Sequence, residues 1–322
     1  SGGTTEGPLS FLKMLSGVTD AIQQGAFRRG ANMGVMRVDH PDILSFIDVK
    51  ADLSRLSNYN LSVAMTDAFM EAVNESPDQP HVVVNPHTGK RGVISKADDS
   101  ARYADSDGHI VETVAYTVRD IWNRIVQRAW ESGDPGLVFI DEVNHHNQVP
   151  NLGPIRATNP CGEQPLLPFE ACNLGSVNLA AFCDSNAQST ADCIVWDALE
   201  RTVDLAVRFL DNVVEVNQYP TPEIDAATRA TRKIGLGVMG LADLLFKLDI
   251  GYDSEAALEL ADQLGSFIRV AAWNASQRLA ETRGNFPAWE GSVWKTQYGG
   301  RPMRNAHVVT IAPTGTISII TG

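Results

Sequence analysis

Three side chains able to do chemistry fall within five residues at Asn159-Pro160-Cys161-Gly162-Glu163: an amide, a thiol and a carboxylate. A second thiol, Cys172, follows eleven residues after the first. The Pro and Gly among them exclude a helix or strand interior, so the groups sit on a constrained loop. A carboxylate two residues from a thiol on such a loop can reach the same ligand, which is the geometric requirement for a general base. A lone thiol in an ordinary chain is more often a small buried hydrophobe. The company of Asn159 and Glu163 favours a chemical role for Cys161.

Composition limits what that chemistry can serve. The chain has 322 residues, 43% hydrophobic and 20% charged, with 26 Gly and 16 Pro, an ordinary globular balance. Net charge is −13, from 39 acidic against 26 basic residues. An extended polyanion such as duplex DNA is repelled by such a surface, so any phosphate must be held by backbone amides or a few Arg. No apolar run approaches the roughly 18 residues of a membrane span, and no secretory leader pattern opens the chain. A cytoplasmic protein is therefore expected. Four cysteines without a CxxC exclude a Cys-rich zinc site and a disulfide framework. Cys183 and Cys193 are expected to be buried, unpaired thiols. His145-His146 is the one metal-like pair, but adjacent loop residues cannot present one face, so no metal is expected. The chain opens on Ser1-Gly2-Gly3-Thr4-Thr5 and stops at Ile319-Ile320-Thr321-Gly322 after a turn, as a piece of a longer protein would.

The elements that must position the loop alternate between the two periodicities. Pro8 to about Gln24 has apolar residues at helical spacing, and Gly25 suits its C-cap. Ala31–Val38 and Asn60–Met65 read as strands, each followed by a helix, the second capped by Thr66 or Asp67. Residues 74–110 are rich in Pro, Gly and Asp around Val82-Val83-Val84 and read as an exposed excursion. A long helix over Val114–Trp130 ends at Gly133-Asp134-Pro135-Gly136, and Leu137–Ile140 reads as a buried strand. Helices are expected over Trp196–Val216, Thr231–Leu248 and Ala256–Thr282, with a strand at His307–Ile311 and a sharp turn at Ala312–Ser318. The alternation favours an α/β architecture with a largely parallel sheet. Gly235-Leu236-Gly237-Val238-Met239-Gly240 satisfies G-x-G-x-x-G, yet no apolar strand precedes it, so helix packing rather than dinucleotide binding is expected there.

Several stretches together resemble one family. Asn159–Glu163 with Cys172-Asn173-Leu174-Gly175-Ser176-Val177-Asn178-Leu179 is similar to the catalytic centre of ribonucleotide reductase large subunits. Gln24-Gly25-Ala26-Phe27-Arg28-Arg29-Gly30 resembles that family's specificity loop, Arg232–Ala242 another of its segments, and Ala312–Ser318 its substrate-phosphate turn. The resemblance covers essentially the whole chain. It implies one catalytic barrel domain over 1–322, a ten-stranded α/β barrel with a central finger loop, incomplete at both ends. It implies reduction of ribonucleotides to 2′-deoxyribonucleotides for DNA synthesis by thiyl-radical chemistry. Cys161 would carry the radical, Glu163 would take the 3′-hydroxyl proton, Asn159 would bind substrate, and Cys172 would be one of two reducing thiols. Pro313, Thr314, Gly315, Thr316, Ile317 and Ser318 would hold the substrate phosphates, which helix-terminal amides can do without a basic surface. Residues 1–40 would form the dimer helix and effector region, with Gln24, Arg28 and Arg29 reading a bound dNTP or ATP effector across a homodimer.

Two features depart from the family pattern. No cysteine precedes Cys161, so Cys172 has no redox partner here, and the re-reducing C-terminal thiols are absent. The chain alone is therefore expected not to turn over. Its parent would need a thioredoxin- or glutaredoxin-like dithiol reductant. The wording around Cys161 and the short Cys161–Cys172 spacing resemble the adenosylcobalamin-dependent class most. A class I large subunit served by a separate radical-generating subunit is the alternative. Outside the reductases, a non-catalytic nucleotide-binding or dimerisation paralogue and a nicotinamide-dependent dehydrogenase remain to be distinguished.

Overall fold

The computed structural model describes residues 7–22, 30–105, 108, 110, 113–184 and 193–321. The barrel domain expected over 1–322 divides into two compact units, Ser1–His146 with Arg156–Gly162, and Asn147–Ile155 with Glu163–Gly322. The architecture is α/β, with small parallel sheets. Among the described residues no strands close into a barrel. No described helix is long and apolar enough to cross a membrane.

The first unit begins with helix α1 (Pro8–Ala21), which leads into strand β1 (Asn32–Arg37), helix α2 (Ile43–Asp48), strand β2 (Tyr59–Met65) and helix α3 (Asp67–Glu75). The Thr66 hydroxyl caps α3 by accepting the Phe69 N–H. A three-stranded antiparallel sheet follows: β3 (Val82–Val84), β4 (Arg91–Ile94) and β5 (Ala101–Tyr103). This is the segment expected as an exposed excursion, and Val83 and Ile94 within it are fully buried in the unit's core. Helix α4 (Val118–Ser132) starts four residues later than its apolar spacing suggests. Residues 114–116 are taken up by hydrogen bonds to the antiparallel sheet and His81, and Thr117 and Asp120 then form a capping box. Gly133, at φ 81°, ends the helix.

Strand β6 (Gly136–Phe139) and helix α5 (Ile140–His145) complete the main run of this unit. β1, β2 and β6 form a parallel sheet in that order, with Gly34 opposite Leu61 and Ala64 opposite Val138. Central β2 is almost wholly buried, as a strand covered on both faces must be. β6 corrects the expected buried strand: Leu137 and Phe139 are exposed, because among the described residues it is paired on one side only. His145 and His146 stand at the end of α5, not on a free loop, and both reach Glu142, at 3.3 and 3.0 Å. Strand β7 (Ala157–Thr158) precedes the Asn159–Gly162 turn.

The second unit holds strand β8 (Pro165–Leu166), strand β9 (Asn173–Asn178), helix α6 (Trp196–Val216), helix α7 (Pro222–Thr231) and strand β10 (Ile234–Met239). Helices α8 (Leu241–Lys247), α9 (Glu255–Arg283), α10 (Val293–Thr296) and α11 (Gly315–Thr321) follow. β9 and β10 are parallel, with Gly175 opposite Leu236, and α6 and α7 make the crossover between them. Trp196 and Phe267 meet edge to face, ring centroids 4.7 Å apart, where α6 packs on α9.

The expected helix across Thr231–Leu248 is instead the largely buried strand β10 followed by the short helix α8. The glycines that satisfy G-x-G-x-x-G explain why. A Cβ on Gly235 would lie 2.5 Å from Leu174, and one on Gly237 would lie 2.2 Å from the Thr310 carbonyl oxygen. These glycines let neighbouring strands approach and are not the phosphate-binding turn of a dinucleotide fold. Gly240, at φ 72°, then turns the chain into α8. Residues 307–310 run beside β10, with Leu236 donating to Val308 O and Thr310 donating to Leu236 O. Only one bridge, between Leu236 and Val309, survives of the strand expected at His307–Ile311.

Cys183 and Cys193 correct a further expectation, because they form a disulfide. An antiparallel bridge between Cys183 and Ile194, with Asp184 donating to Cys193 O, brings their Cα atoms to 5.0 Å, within bonding range. Closing so short a loop is worth about 3 kcal/mol in the chain-entropy description. The double variant Cys183→Ser with Cys193→Ser should therefore lose about that much in denaturant-unfolding stability. Adding a reductant should lower the wild type similarly and leave the double variant unmoved. Equal stability of the two proteins would show that the bond contributes nothing.

Candidate active site

Asn159 and Cys161 belong to the first unit, and Glu163, Cys172 and residues 313–318 to the second. Each half is built by its own local chemistry.

In the first unit the Gly162 N–H donates to Asn159 O at 3.0 Å, closing a tight turn over Asn159–Gly162. Gly162 has φ 84°, a left-handed conformation that costs a side-chain-bearing residue free energy, which accounts for glycine directly after the thiol. Asn60, from β2, donates its side-chain amide to Pro160 O at 2.5 Å, and Thr158 Oγ1 donates to Asn159 O at 3.0 Å. The turn is held through its backbone, which leaves the side chain at its tip for other work. Cys161 is an exposed free thiol.

In the second unit the Glu163 carbonyl accepts a 2.7 Å hydrogen bond from Thr310 Oγ1. Oε2 of its carboxylate is buried and has no hydrogen-bond partner among the described residues. A buried carboxylate oxygen with spare acceptor capacity is what a general base needs before its substrate arrives.

Cys172 enters β9 with its Sγ donating to Asn173 O at 3.3 Å. Burial pushes its thiol up to about 12; the negative charges of Glu170 and, less strongly, Glu163 act the same way, and Lys233 opposes them. At neutral pH it is therefore an S–H group. Beneath it lies a buried ion pair: Glu170 Oε2 meets Lys233 Nζ at 2.8 Å, with both side chains essentially inaccessible. Glu170 Oε1 accepts from Thr231 Oγ1 at 2.5 Å, and Oε2 also accepts the Leu167 N–H at 2.8 Å. His307 is held neutral, its imidazole brought down to about 4 by burial and by the Lys233 charge.

The expected phosphate turn is a turn into α11. Thr314 has φ 58°, the Ser318 N–H donates to Thr314 O at 2.9 Å, and Ser318 Oγ donates to Gly315 O at 2.8 Å. Gln24, Arg28 and Arg29 lie outside the described residues. Glu170, Lys233, Thr231, Thr310 and Asn60 make the contacts around these candidate residues, and no sequence motif marks them. Glu170 left one signal, an acidic residue two positions before a thiol in an otherwise apolar stretch.

The whole chain, residues 1–322, matches the family model described as the ribonucleotide reductase barrel domain. It is 47% identical over 321 residues to a vitamin B12-dependent ribonucleoside-diphosphate reductase of Thermoplasma acidophilum, covering 99% of this chain and 38% of that protein. A Mycobacterium tuberculosis protein of the same description is 47% identical over 323 residues, 100% of this chain and 42% of that one. A ribonucleoside-diphosphate reductase subunit alpha of Chlamydia muridarum is 30% identical, covering 99% and 34%. The chain belongs to the ribonucleotide reductase barrel-domain family. It spans about two fifths of the length of the vitamin B12-dependent relatives named here.

Proposed function

We propose that these residues are the catalytic segment of an adenosylcobalamin-dependent ribonucleotide reductase, folded in the parent protein as the family's ten-stranded barrel with Cys161 on its finger loop. The observation that carries the reading is an exposed free thiol on a backbone-locked turn, followed two residues later by a buried carboxylate oxygen with no partner among the described residues. The vitamin B12-dependent descriptions of the 47% identical relatives favour this class over a separate radical-generating subunit.

The residues divide the work as follows. A Cys161 thiyl takes the 3′-hydrogen of the ribose, and Glu163 accepts the 3′-hydroxyl proton at its free Oε2. Asn159 hydrogen-bonds the substrate. Cys172 and a second thiol, which these 322 residues do not contain, become a disulfide. Their hydrogens end one on C2′ and one in the water that removes the 2′-oxygen, after which the 3′-hydrogen is returned. Residues 313–318 receive the phosphates. Exposure of Cys161 suits the approach of a cofactor as bulky as adenosylcobalamin, which when bound supplies the oxidising radical that a thiol cannot generate alone.

Helix α1 supports a homodimer with an effector site. Phe11, Met14, Leu15, Val18 and Ile22 are exposed along it, an apolar stripe that a second copy would cover. Gln24, Arg28 and Arg29 follow it in sequence and would read the effector nucleotide. A thioredoxin- or glutaredoxin-like dithiol would restore the thiols.

The deciding experiment uses the full-length parent with ribonucleotide, dithiol and effector. Deoxyribonucleotide should form with adenosylcobalamin and without any second subunit. Formation that depends on an added radical-generating subunit would transfer the chain to the alternative class, and none under either condition would refute the reductase reading.

A further inference from the structure

Glu170 and Lys233 take no part in the reaction above, yet they form a buried ion pair whose carboxylate lies two residues before one of its thiols and whose charges act on it. Such a pair is costly to bury and needs a reason beyond stability, because replacing it with apolar residues is often neutral or better. Its placement supplies one. The carboxylate is gripped at three points: by Lys233 at the start of β10, by Thr231 at the end of α7, and by the Leu167 N–H of its own loop. One residue on, the Ala171 N–H donates to Thr228 Oγ1 at 3.0 Å, and Asn173 donates its side-chain amide to Leu210 O at 3.1 Å. Cys172 therefore hangs between two anchored neighbours.

We propose that Glu170 is the positioning residue of Cys172: held by Lys233 and Thr231, its carboxylate fixes the Leu167–Ala171 loop that delivers the thiol to β9. The charged groups acting on Cys172 are Glu170 and Glu163, both negative, and Lys233, positive; His307 beside Lys233 is neutral. Two carboxylates against one cation disfavour a thiolate. A protonated thiol can still give its hydrogen to the reducing step, and it resists electrophiles and adventitious oxidation between turnovers because the thiolate is the nucleophile. The inference deepens the reductase reading and rests on it for the part Cys172 plays in turnover.

The test needs no turnover. The 322-residue chain is treated with iodoacetamide from pH 7 to 10 and alkylation is read separately at the Cys161 and Cys172 peptides by mass spectrometry. Glu170→Gln removes a negative charge and leaves Lys233, so Cys172 should be alkylated on the order of tenfold faster at pH 8, with its pH profile moved to lower pH and Cys161 unchanged. Lys233→Met withdraws one of the carboxylate's three holds, so it too should speed alkylation of Cys172, while Lys233→Arg, which keeps the cation, should match wild type. The pH profile separates the two effects: released positioning raises the rate at every pH, whereas the charge lost in Glu170→Gln moves the profile to lower pH. Cys172 rates within twofold of wild type in both Glu170→Gln and Lys233→Met, or Cys161 accelerated as much as Cys172, would overturn the proposal. Should Glu170→Gln fail to fold, Lys233→Met decides by itself, acceleration of Cys172 alone counting for the proposal and a wild-type rate against it. A parent that makes no deoxyribonucleotide refutes the reductase reading and leaves these alkylation rates as they are, so the two failures are told apart.

Discussion

Cys161→Ser, placed in the full-length parent, should reduce deoxyribonucleotide formation by at least about three orders of magnitude while leaving the fold unchanged. An O–H bond is much stronger than an S–H bond, so a serine cannot be oxidised to the radical that takes the 3′-hydrogen. The local structure has no stake in the sulfur: the turn is closed by Gly162 N–H to Asn159 O and tied by Asn60 to Pro160 O, all backbone acceptors, and the side chain is exposed. A surface substitution of this kind moves stability by within about 0.5 kcal/mol. The diagnostic is therefore a split between collapsed kcat and an unchanged melting curve. Glu163→Gln should be milder, about 10²- to 10⁴-fold, the range for loss of a positioned general base. Cys161→Ser retaining more than a hundredth of wild-type turnover would remove Cys161 from the radical step.

The difference between those two residues and the rest of the site shows what a sequence makes visible. Asn159, Cys161 and Glu163 are legible because reactive groups crowd a stretch where Pro and Gly forbid regular structure. Glu170 and Lys233 are 63 residues apart in sequence, and nothing local marks them as partners. Buried Glu and Lys side chains are rare unless paired, but burial is a property of the packed unit and cannot be read from either residue. The Cys183–Cys193 bond was hidden for a related reason. Two thiols without a motif become partners only when the strand segments on either side of residues 184 and 193 pair.

The elements were legible where periodicity was unbroken, as in α6, whose range Trp196–Val216 follows directly from its apolar spacing. Legibility failed where glycine carried the pattern. Gly235, Gly237 and Gly240 read as helix-packing residues because small side chains permit close approach in any geometry. The deciding fact, that the neighbours are Leu174 and Thr310 across a parallel ladder, is tertiary. β6 departs from the expected burial because four apolar residues look the same on an edge as in a core.

Asp211→Ala should destabilise the second unit by about 3–5 kcal/mol, the range for removing one partner of a buried ion pair. Asp211 is completely inaccessible on α6. Its Oδ1 accepts from Arg232 at 2.8 and 3.0 Å and from the Asn305 side chain at 3.1 Å, and its Oδ2 accepts from Arg283 at 2.9 Å, with Arg304 at 3.4 Å. Truncation leaves Arg232, which is itself buried, with the Glu215 carboxylate at 2.8 Å, which is more than half exposed and screened by solvent. The damage should reach Glu163 by a definite route. Asn305 also donates to Arg232 O and is held by Ser276, and it leads into residues 307–310, whose Thr310 hydroxyl fixes the Glu163 carbonyl. Asp211→Asn keeps one acceptor for Arg232 but removes the charge and turns an N–H₂ donor towards Arg283 and Arg304, so it should recover only part of the loss. Denaturant unfolding measures both, with the midpoint falling at constant slope. With native stabilities of about 5–15 kcal/mol, a loss of this size is a large share of the whole. A loss below about 1 kcal/mol for Asp211→Ala would mean that the arginines find water when the carboxylate goes, and that the cluster does not hold α6, α7, β10 and the 307–310 segment together.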